Sequence, residues 1–300
     1  MKILLFGKSG QVGWELQRSL APLGEIIAPD RDSREICGDF TNPDHIAATV
    51  RSVMPDIIVN AAAHTAVDKC ETDAGPAHLV NVTTPGILAH EARKLGAWLI
   101  HYSTDYVFDG SGKQQWTETD ATCPLNVYGA TKVKGEEAIQ AENCQHLIFR
   151  TSWVFGVHGN NFAKNILRLA TVRDQLTVIN DQTGAPTGAD LLADITAHAI
   201  RTAILHPQVS GLYHATARGE TTWYNYARLV LDTARQAGIA LSVAPENITP
   251  IPGSAFPTLA RRPMNSRMDT SKLCHTFDLT LPVWQTGVSR MLTEILQHRL

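Results

Sequence analysis

An apolar run, Lys2 to Phe6, passes directly into Gly7-Lys8-Ser9-Gly10-Gln11-Val12-Gly13. Few openings constrain a fold more. Glycine lets the backbone turn tightly and approach a ligand with no Cβ in the way. A helix starting there turns its unpaired N–H groups and its positive dipole end toward the same point. Strand, glycine turn and helix together make a pyrophosphate cradle. The spacing is Gly-x-x-Gly-x-x-Gly rather than Gly-x-Gly-x-x-Gly. The context, next to the chain start and between an apolar run and an amphipathic one, carries the reading.

The rest of the first half keeps the same rhythm. Short apolar runs alternate with amphipathic stretches, as in a parallel sheet with crossover helices. Helix is expected over Gln11 to Ala21, from Pro43 with Asn42 as its N-cap, over Pro76 to Lys94, and over Val127 to Gln140. Strands are expected at Ile26 to Ala28, weakly at Glu35 to Cys37, and at Asp56 to Asn60, Trp98 to Ser103 and Leu147 to Thr151. Asp109 to Gln115 reads as a loop. The second half is less regular. Helices are expected at Phe162 to Thr171, Asp190 to Leu205, Trp223 to Ala237 and Val288 to Gln297, and short strands at Leu176 to Ile179 and Gly211 to His214. The fold class is therefore α/β: a Rossmann-type doubly wound parallel sheet with a smaller mixed C-terminal lobe. Residues 1–150 form mainly the dinucleotide-binding domain. Residues 151–300 form mainly a substrate-binding lobe, with some segments returning to the sheet.

A doubly wound sheet presents its carboxyl edge to a dinucleotide, which gives several residues a role. Asp30 follows the second strand and can accept from the adenosine ribose hydroxyls. Arg31 and Arg34 are close enough in sequence to meet a 2′-phosphate instead, so both NADH and NADPH fit. Asp39 with Phe40, and Ala61-Ala62-Ala63, follow later strands toward the adenine half. Tyr128 and Lys132 lie one helical turn apart on one face. An ammonium beside a phenol favours phenolate and brings the acid toward a useful range. Thr104, ending the fifth strand, can donate to the same carbonyl oxygen. Together these make a ketone-reducing set.

Longer stretches point the same way: Ser103-Thr104-Asp105-Tyr106-Val107-Phe108-Asp109-Gly110, Tyr128-Gly129-Ala130-Thr131-Lys132, Arg150-Thr151-Ser152-Trp153-Val154-Phe155-Gly156, Asp181-Gln182-Thr183-Gly184-Ala185-Pro186-Thr187 and Arg262-Pro263-Met264-Asn265-Ser266-Arg267-Met268-Asp269. Over nearly its whole length the chain resembles the dTDP-4-dehydrorhamnose reductases, a family of extended short-chain dehydrogenase/reductases. The resemblance implies reduction of a C4 ketone on a dTDP-sugar by NADPH or NADH, the last step of dTDP-rhamnose synthesis. It places Gly10, Gln11 and Val12 at the pyrophosphate, Asp30 at the ribose and Asp39 with Phe40 at the adenine. Ala63, His64 and Thr65 continue the groove, and Tyr102 stands near the nicotinamide half. Thr104 and Asp105 face the sugar and Trp153 packs on it. Tyr128 is the proton donor, and Lys132 holds the ribose while tuning Tyr128. The resemblance also implies a homodimer bridged by Mg²⁺ through Glu15, Asp190 and Glu294. Residue 190 is the shorter Asp where glutamate is usual, and hard oxygen ligands suit that ion.

Two rival readings differ at named residues. A nucleotide-sugar 4,6-dehydratase needs an Asp-Glu pair directly after the threonine, whereas Thr104 is followed by Asp105-Tyr106. A non-catalytic regulatory subunit on the same fold has no need of Thr104, Tyr128 and Lys132 together. Bulk properties bound the partners. A net charge of -3 argues against nucleic acid. Five cysteines without Cys-x-x-Cys spacing fit a reducing compartment, the cytoplasm. No apolar run approaches a transmembrane length, and no histidine pair has metal-ligand spacing.

Overall fold

The computed structural model describes residues 1–33 and 35–297; Arg34, one of the two arginines assigned to a 2′-phosphate, lies outside them. The central sheet has six strands: β1 (Lys2–Phe6), β2 (Glu25–Ile27), β3 (Ile57–Asn60), β4 (Trp98–Thr104), β5 (His146–Thr151) and a last one, Gly211–His214. From one edge the order is Gly211–His214, β5, β4, β3, β1, β2, and every pairing is parallel. Parallel strands covered on both faces are apolar at successive positions, and Ile3 to Phe6 are each fully buried. Odd positions of β1 pack with α1 (Gln11–Leu20) and the helix Ala189–Leu205. Even positions pack with α2 (Pro43–Val53) and the helix Thr84–Leu95. From β1 the chain runs outward to β2 and then returns to β3 on the other side. A switch point therefore lies between β1 and β3, where Phe6 pairs with Asn60.

Two expectations are corrected. Glu35 to Cys37 forms no strand, so β2 is the edge. The run is only three residues long before Gly38. Gly38 lies so close to the turn after β2 that a Cβ would fall 2.5 Å from Asp30 O. The segment therefore folds back on that turn instead of extending beside β2. The long helix expected over Pro76 to Lys94 is broken into Ala74–His78, a π turn Leu79–Thr83, and Thr84–Leu95. Pro85 has no N–H to give to the carbonyl of Asn81 four residues back. The helix Val127–Ala141 packs against that carbonyl through Gly135, where a Cβ would meet Asn81 O at 2.2 Å. Such π turns recur at functional sites. Asn42 does stand at the N-cap of α2, but its side chain turns to Asp39 and makes no cap bond.

A second core gathers Phe155, Tyr226 and Trp284 with the helices Phe162–Ala170, Trp223–Gln236 and Trp284–Gln297. The last begins four residues before its expected start at Val288. Ala189–Leu205 and Gly211–His214, though late in the chain, belong to the central sheet. Leu191 packs against both cores.

Candidate active site

The glycine turn is a close-packed object. Gly7 has a φ of +82°, and a Cβ there would lie 2.6 Å from the carbonyl carbon of Ala61 on the neighbouring strand end. At Gly13 a Cβ would come within 2.0 Å of Gly7 O. Both must be glycine for the turn to close. No side chain caps α1, which leaves its first amides free, and its N-cap Gly10 lines a groove of about 500 Å³. The groove is lined by Gly7, Gly10, Asp30, Asp39, Phe40, Ala63 and His64 among others, which brings most of the expected cofactor residues together. A cradle that a Cβ would fill, ending on free helix amides, fits a dinucleotide pyrophosphate.

Other expected contacts lie differently. The Gln11 side chain turns to the substrate lobe, donating to Val154 O at 3.5 Å and accepting from Asn161 Nδ2 at 3.1 Å. Val12 packs into the core between α1 and the sheet. What both can give the pyrophosphate is backbone. Thr65 is exposed, one residue past the groove. Asp30 is paired with Lys8 Nζ at 2.8 Å, and Arg31 Nε lies 3.5 Å from Asp39. Lys8 was not singled out in the sequence, yet it brings a second cation to the ribose end.

Thr104 closes β4, and the half-buried Tyr128 stands on the helix Val127–Ala141, four residues before Lys132. Asn126 Oδ1 caps the helix that carries Tyr128, accepting from Gly129 N at 2.7 Å. Thr104 Oγ1 also donates to Asp105 Oδ1 at 3.1 Å. Asp105 is 2% exposed, and burial pushes its carboxyl up to about 6. Its Oδ2 is buried with no hydrogen-bond partner among the described residues.

The expected tuning of Tyr128 by Lys132 is corrected. Lys132 is 1% exposed, and its Nζ is directed to Tyr102 O at 2.6 Å and to His101 Nε2 at 3.2 Å. The phenol of Tyr128 is pushed up, not down: burial acts first, the neighbouring Thr104 hydroxyl opposes it, and Asp105 and Cys70 add to the rise. A buried ammonium seeks acceptors, and the carbonyl of Tyr102 is the one within reach. Burial in turn lowers Lys132 to about 8. The hydroxyl of Tyr102 is spent on Thr196, 2.6 Å away, so only its ring is left for a ligand.

The wall facing the sugar is assembled from distant segments. Asn265 donates from Nδ2 to Ser111 O and Gln114 O and from N to Gly110 O, and Ser266 N donates to Thr183 O. Residues 262–269 thus lock the 103–110 loop to the 181–187 loop. Trp153 has a φ of +48°, a left-handed conformation unusual for a bulky residue. One face of its indole stacks on Trp223 with ring centroids 3.6 Å apart. Trp223 and Asn81 escaped the sequence reading. Asn81 is buried and ties His64 N, His64 O and Thr131 Oγ1 together at 2.9–3.1 Å. Its only signal was an asparagine in a helical run just before Thr-Thr-Pro.

Glu15, Asp190 and Glu294 line one small cavity, as the resemblance required. Arg290 lies among them, with its Nη1 3.4 Å from Asp190 and its Nε 3.1 Å from Glu294, while Arg18 holds Glu15 at 3.3 Å. Guanidinium groups occupy the acceptors a cation would need. Among the described residues no cluster of three or more metal-ligating side chains is present. In this chain the set does not fit a divalent ion, and no chemistry is assigned to one.

A family model described as the RmlD substrate binding domain matches residues 1–297. The dTDP-4-dehydrorhamnose reductase of Salmonella typhimurium (strain LT2) is 62% identical over 296 residues, and that of Escherichia coli (strain K12) 61% over 295, each alignment covering 98% of both chains. The chain belongs to the dTDP-4-dehydrorhamnose reductase family. Solved members extend the agreement to the fold. A dTDP-4-dehydrorhamnose reductase from Bacillus anthracis, in complex with NADP, superposes with a TM-score of 0.86 at 30% identity, covering 98% of this chain and 99% of that one. One from Clostridium acetobutylicum gives 0.86 at 35%, covering 99% and 100%. A dTDP-glucose 4,6-dehydratase from Streptomyces venezuelae, 19% identical, shares the fold with the reductase family. No helix among the described residues is long and apolar enough to cross a membrane.

Proposed function

We propose that the chain reduces the C4 ketone of dTDP-4-dehydro-β-L-rhamnose to dTDP-β-L-rhamnose, using NADPH or NADH, as the last step of dTDP-rhamnose synthesis in the cytoplasm. The observation that carries this reading is Thr104 at the carboxyl end of β4, with Tyr128 and the buried Lys132 on one helix, in a sheet whose strands β1, β2 and β3 run into the dinucleotide groove. When bound, the nicotinamide supplies the hydride. Tyr128 donates to the C4 oxygen where it gains charge, and Thr104, whose proton rests on Asp105 Oδ1, joins it by rotating that O–H to the same oxygen. Tyr128 gives the proton. Asp105 and Trp153 orient the sugar, and residues 151–300 form most of its wall. Asp30 receives ribose hydroxyls, while Lys8 and Arg31 leave room for a 2′-phosphate. The nucleotide-sugar partner binds a protein proposed to be a homodimer, whose state sedimentation would settle.

The test supplies dTDP-4-dehydrorhamnose with each cofactor and follows loss of nicotinamide absorbance. Both cofactors are expected to work. A preference above roughly a thousandfold, about 4 kcal/mol, would contradict shared use. No turnover with either, despite tight cofactor binding, would favour a non-catalytic subunit. Turnover with a different 4-keto sugar nucleotide alone would relocate the substrate within the same chemistry.

A further inference from the structure

His101 lies on β4 beneath the catalytic pair and is 1% exposed. Its Nδ1 is 2.9 Å from Asn60 Nδ2, and its Nε2 is 3.2 Å from Lys132 Nζ. The direction of each bond follows from the far end of the chain of contacts. Asn60 Oδ1 accepts the backbone N–H of Ala62 at 3.0 Å. A backbone amide can only donate, so it fixes which end of the Asn60 amide is oxygen. Nδ2 must then donate to His101 Nδ1. A neutral imidazole has one N–H, and with Nδ1 accepting, the proton sits on Nε2. That N–H points at Lys132 Nζ. An ammonium has three donors and no acceptor, whereas a neutral amine keeps a lone pair. Only the amine can receive the His101 proton. The second bond of Nζ, to Tyr102 O, is open to either form.

We propose that His101 is a positioning residue: held by Asn60 with its proton on Nε2, it presents a donor to Lys132 and favours the neutral amine, so that Lys132 can release a proton toward the Tyr128 phenolate. The balance is simple. An N–H bond of the Lys132 ammonium breaks and the O–H bond of Tyr128 forms through an intervening hydroxyl, because Nζ is itself directed to Tyr102 O and His101. The electron pair stays on Nζ and accepts from His101 Nε2–H. Solvent restores the ammonium afterwards. The other groups around Lys132 are accounted for. Glu136, one turn along the same helix, favours the ammonium. It is itself bound by Arg150 through two bonds of 2.9 and 2.6 Å, which blunts its pull. Asp105 acts on Tyr128 instead. Burial keeps His101 far below the ordinary histidine range, so the imidazole does not resolve the conflict by taking a second proton.

The role in turnover rests on the reductase reading; the tautomer does not, and two measurements separate them. In protein labelled with [¹⁵N]histidine, long-range ¹⁵N–¹H spectra report which ring nitrogen carries the proton, with His101 assigned by its loss in His101→Gln. The wild type is expected to show the Nε2–H form. Asn60→Asp still accepts from Ala62 but has no donor for the ring, so the proton should move to Nδ1 and Nε2 should become an acceptor for the ammonium. The alkaline limb of kcat/KM, expected near 8 from Lys132, should then rise by about one pH unit, a tenfold change in proton affinity. His101→Phe should raise it too, and adding Asn60→Asp to His101→Phe should change nothing further. An Nδ1–H wild type overturns the proposal. So does an Asn60→Asp protein whose tautomer and alkaline limb both stay in place. Loss of ketone reduction in a wild type that keeps the Nε2–H form counts against the reductase reading and the Lys132-to-Tyr128 step, while the tautomer stands.

Discussion

The two ends of the cleft are built by opposite means. The cofactor end is made of backbone: amides of α1, and glycines at positions where a Cβ would strike Gly7 O or Ala61. Its segments each follow a strand end or lie in the loop after one, and its charged side chains Asp30 and Arg31 are exposed at the rim. The sugar end is made of side chains drawn from four separated segments: Thr104 and Asp105, Tyr128 and Lys132, Trp153, and Ser266, of which Tyr128 and Trp153 are half-buried and the others buried. A backbone site tolerates side-chain change at its rim but not added bulk at its turn. A buried polar site is sensitive to the loss of any single hydrogen bond, because burial magnifies what an unpaired group costs.

Removing the acid from the sugar end should separate the two most sharply. Tyr128→Phe keeps the ring and most of its packing against Tyr106, 5.7 Å away. Turnover should fall by roughly 10²–10⁴-fold, the usual worth of a general acid, while NADPH affinity by fluorescence titration stays near wild type. Lys132→Met should lower both. If Tyr128→Phe reduces the sugar at the wild-type rate, Thr104 or a bound water holds the acid's place.

Bulk at the cofactor end comes next. Gly13→Ala places a methyl within 2.0 Å of Gly7 O, and the turn must open to admit it. An overpacking cost of about 1–3 kcal/mol is expected, read as a lower melting temperature together with weakened NADPH binding. Unchanged binding would mean that the turn is softer than its packing implies.

Asp105 should show the cost of the sugar end in stability. Its folded carboxyl is raised from 3.8 to about 6, so between those values the folded chain holds more protons than the unfolded one. Stability therefore falls as pH rises through that window and stays lowered above it. Asp105→Asn should abolish the fall and be more stable near neutrality by roughly 1–3 kcal/mol, with turnover impaired. Equal denaturation curves near neutral pH would show that the carboxylate is solvated. The smallest effect belongs to chelation. With Arg290 among Glu15, Asp190 and Glu294, EDTA should leave the chemical step unchanged, and any loss in single-turnover rate would restore a metal to the site.

The sequence by itself determined the parts governed by local rules. The strand–turn–helix at Gly7 to Gly13, the parallel sheet and the Tyr128–Lys132 spacing all follow from periodicity and from residues with special backbone freedom. Tertiary structure decided the rest. Glu35 to Cys37 failed as a strand because Gly38 packs on Asp30, a contact between segments that local propensity does not describe. The helix through Asn81 broke at the carbonyl that Pro85 cannot serve and that Gly135 of another helix packs against. Gly211–His214 joined the first domain's sheet because β5 offered it an open edge. The direction of Lys132 was decided in the same way. Spacing put its ammonium on the face of Tyr128, but burial made hydrogen-bond satisfaction the stronger demand, and the acceptors stood on β4.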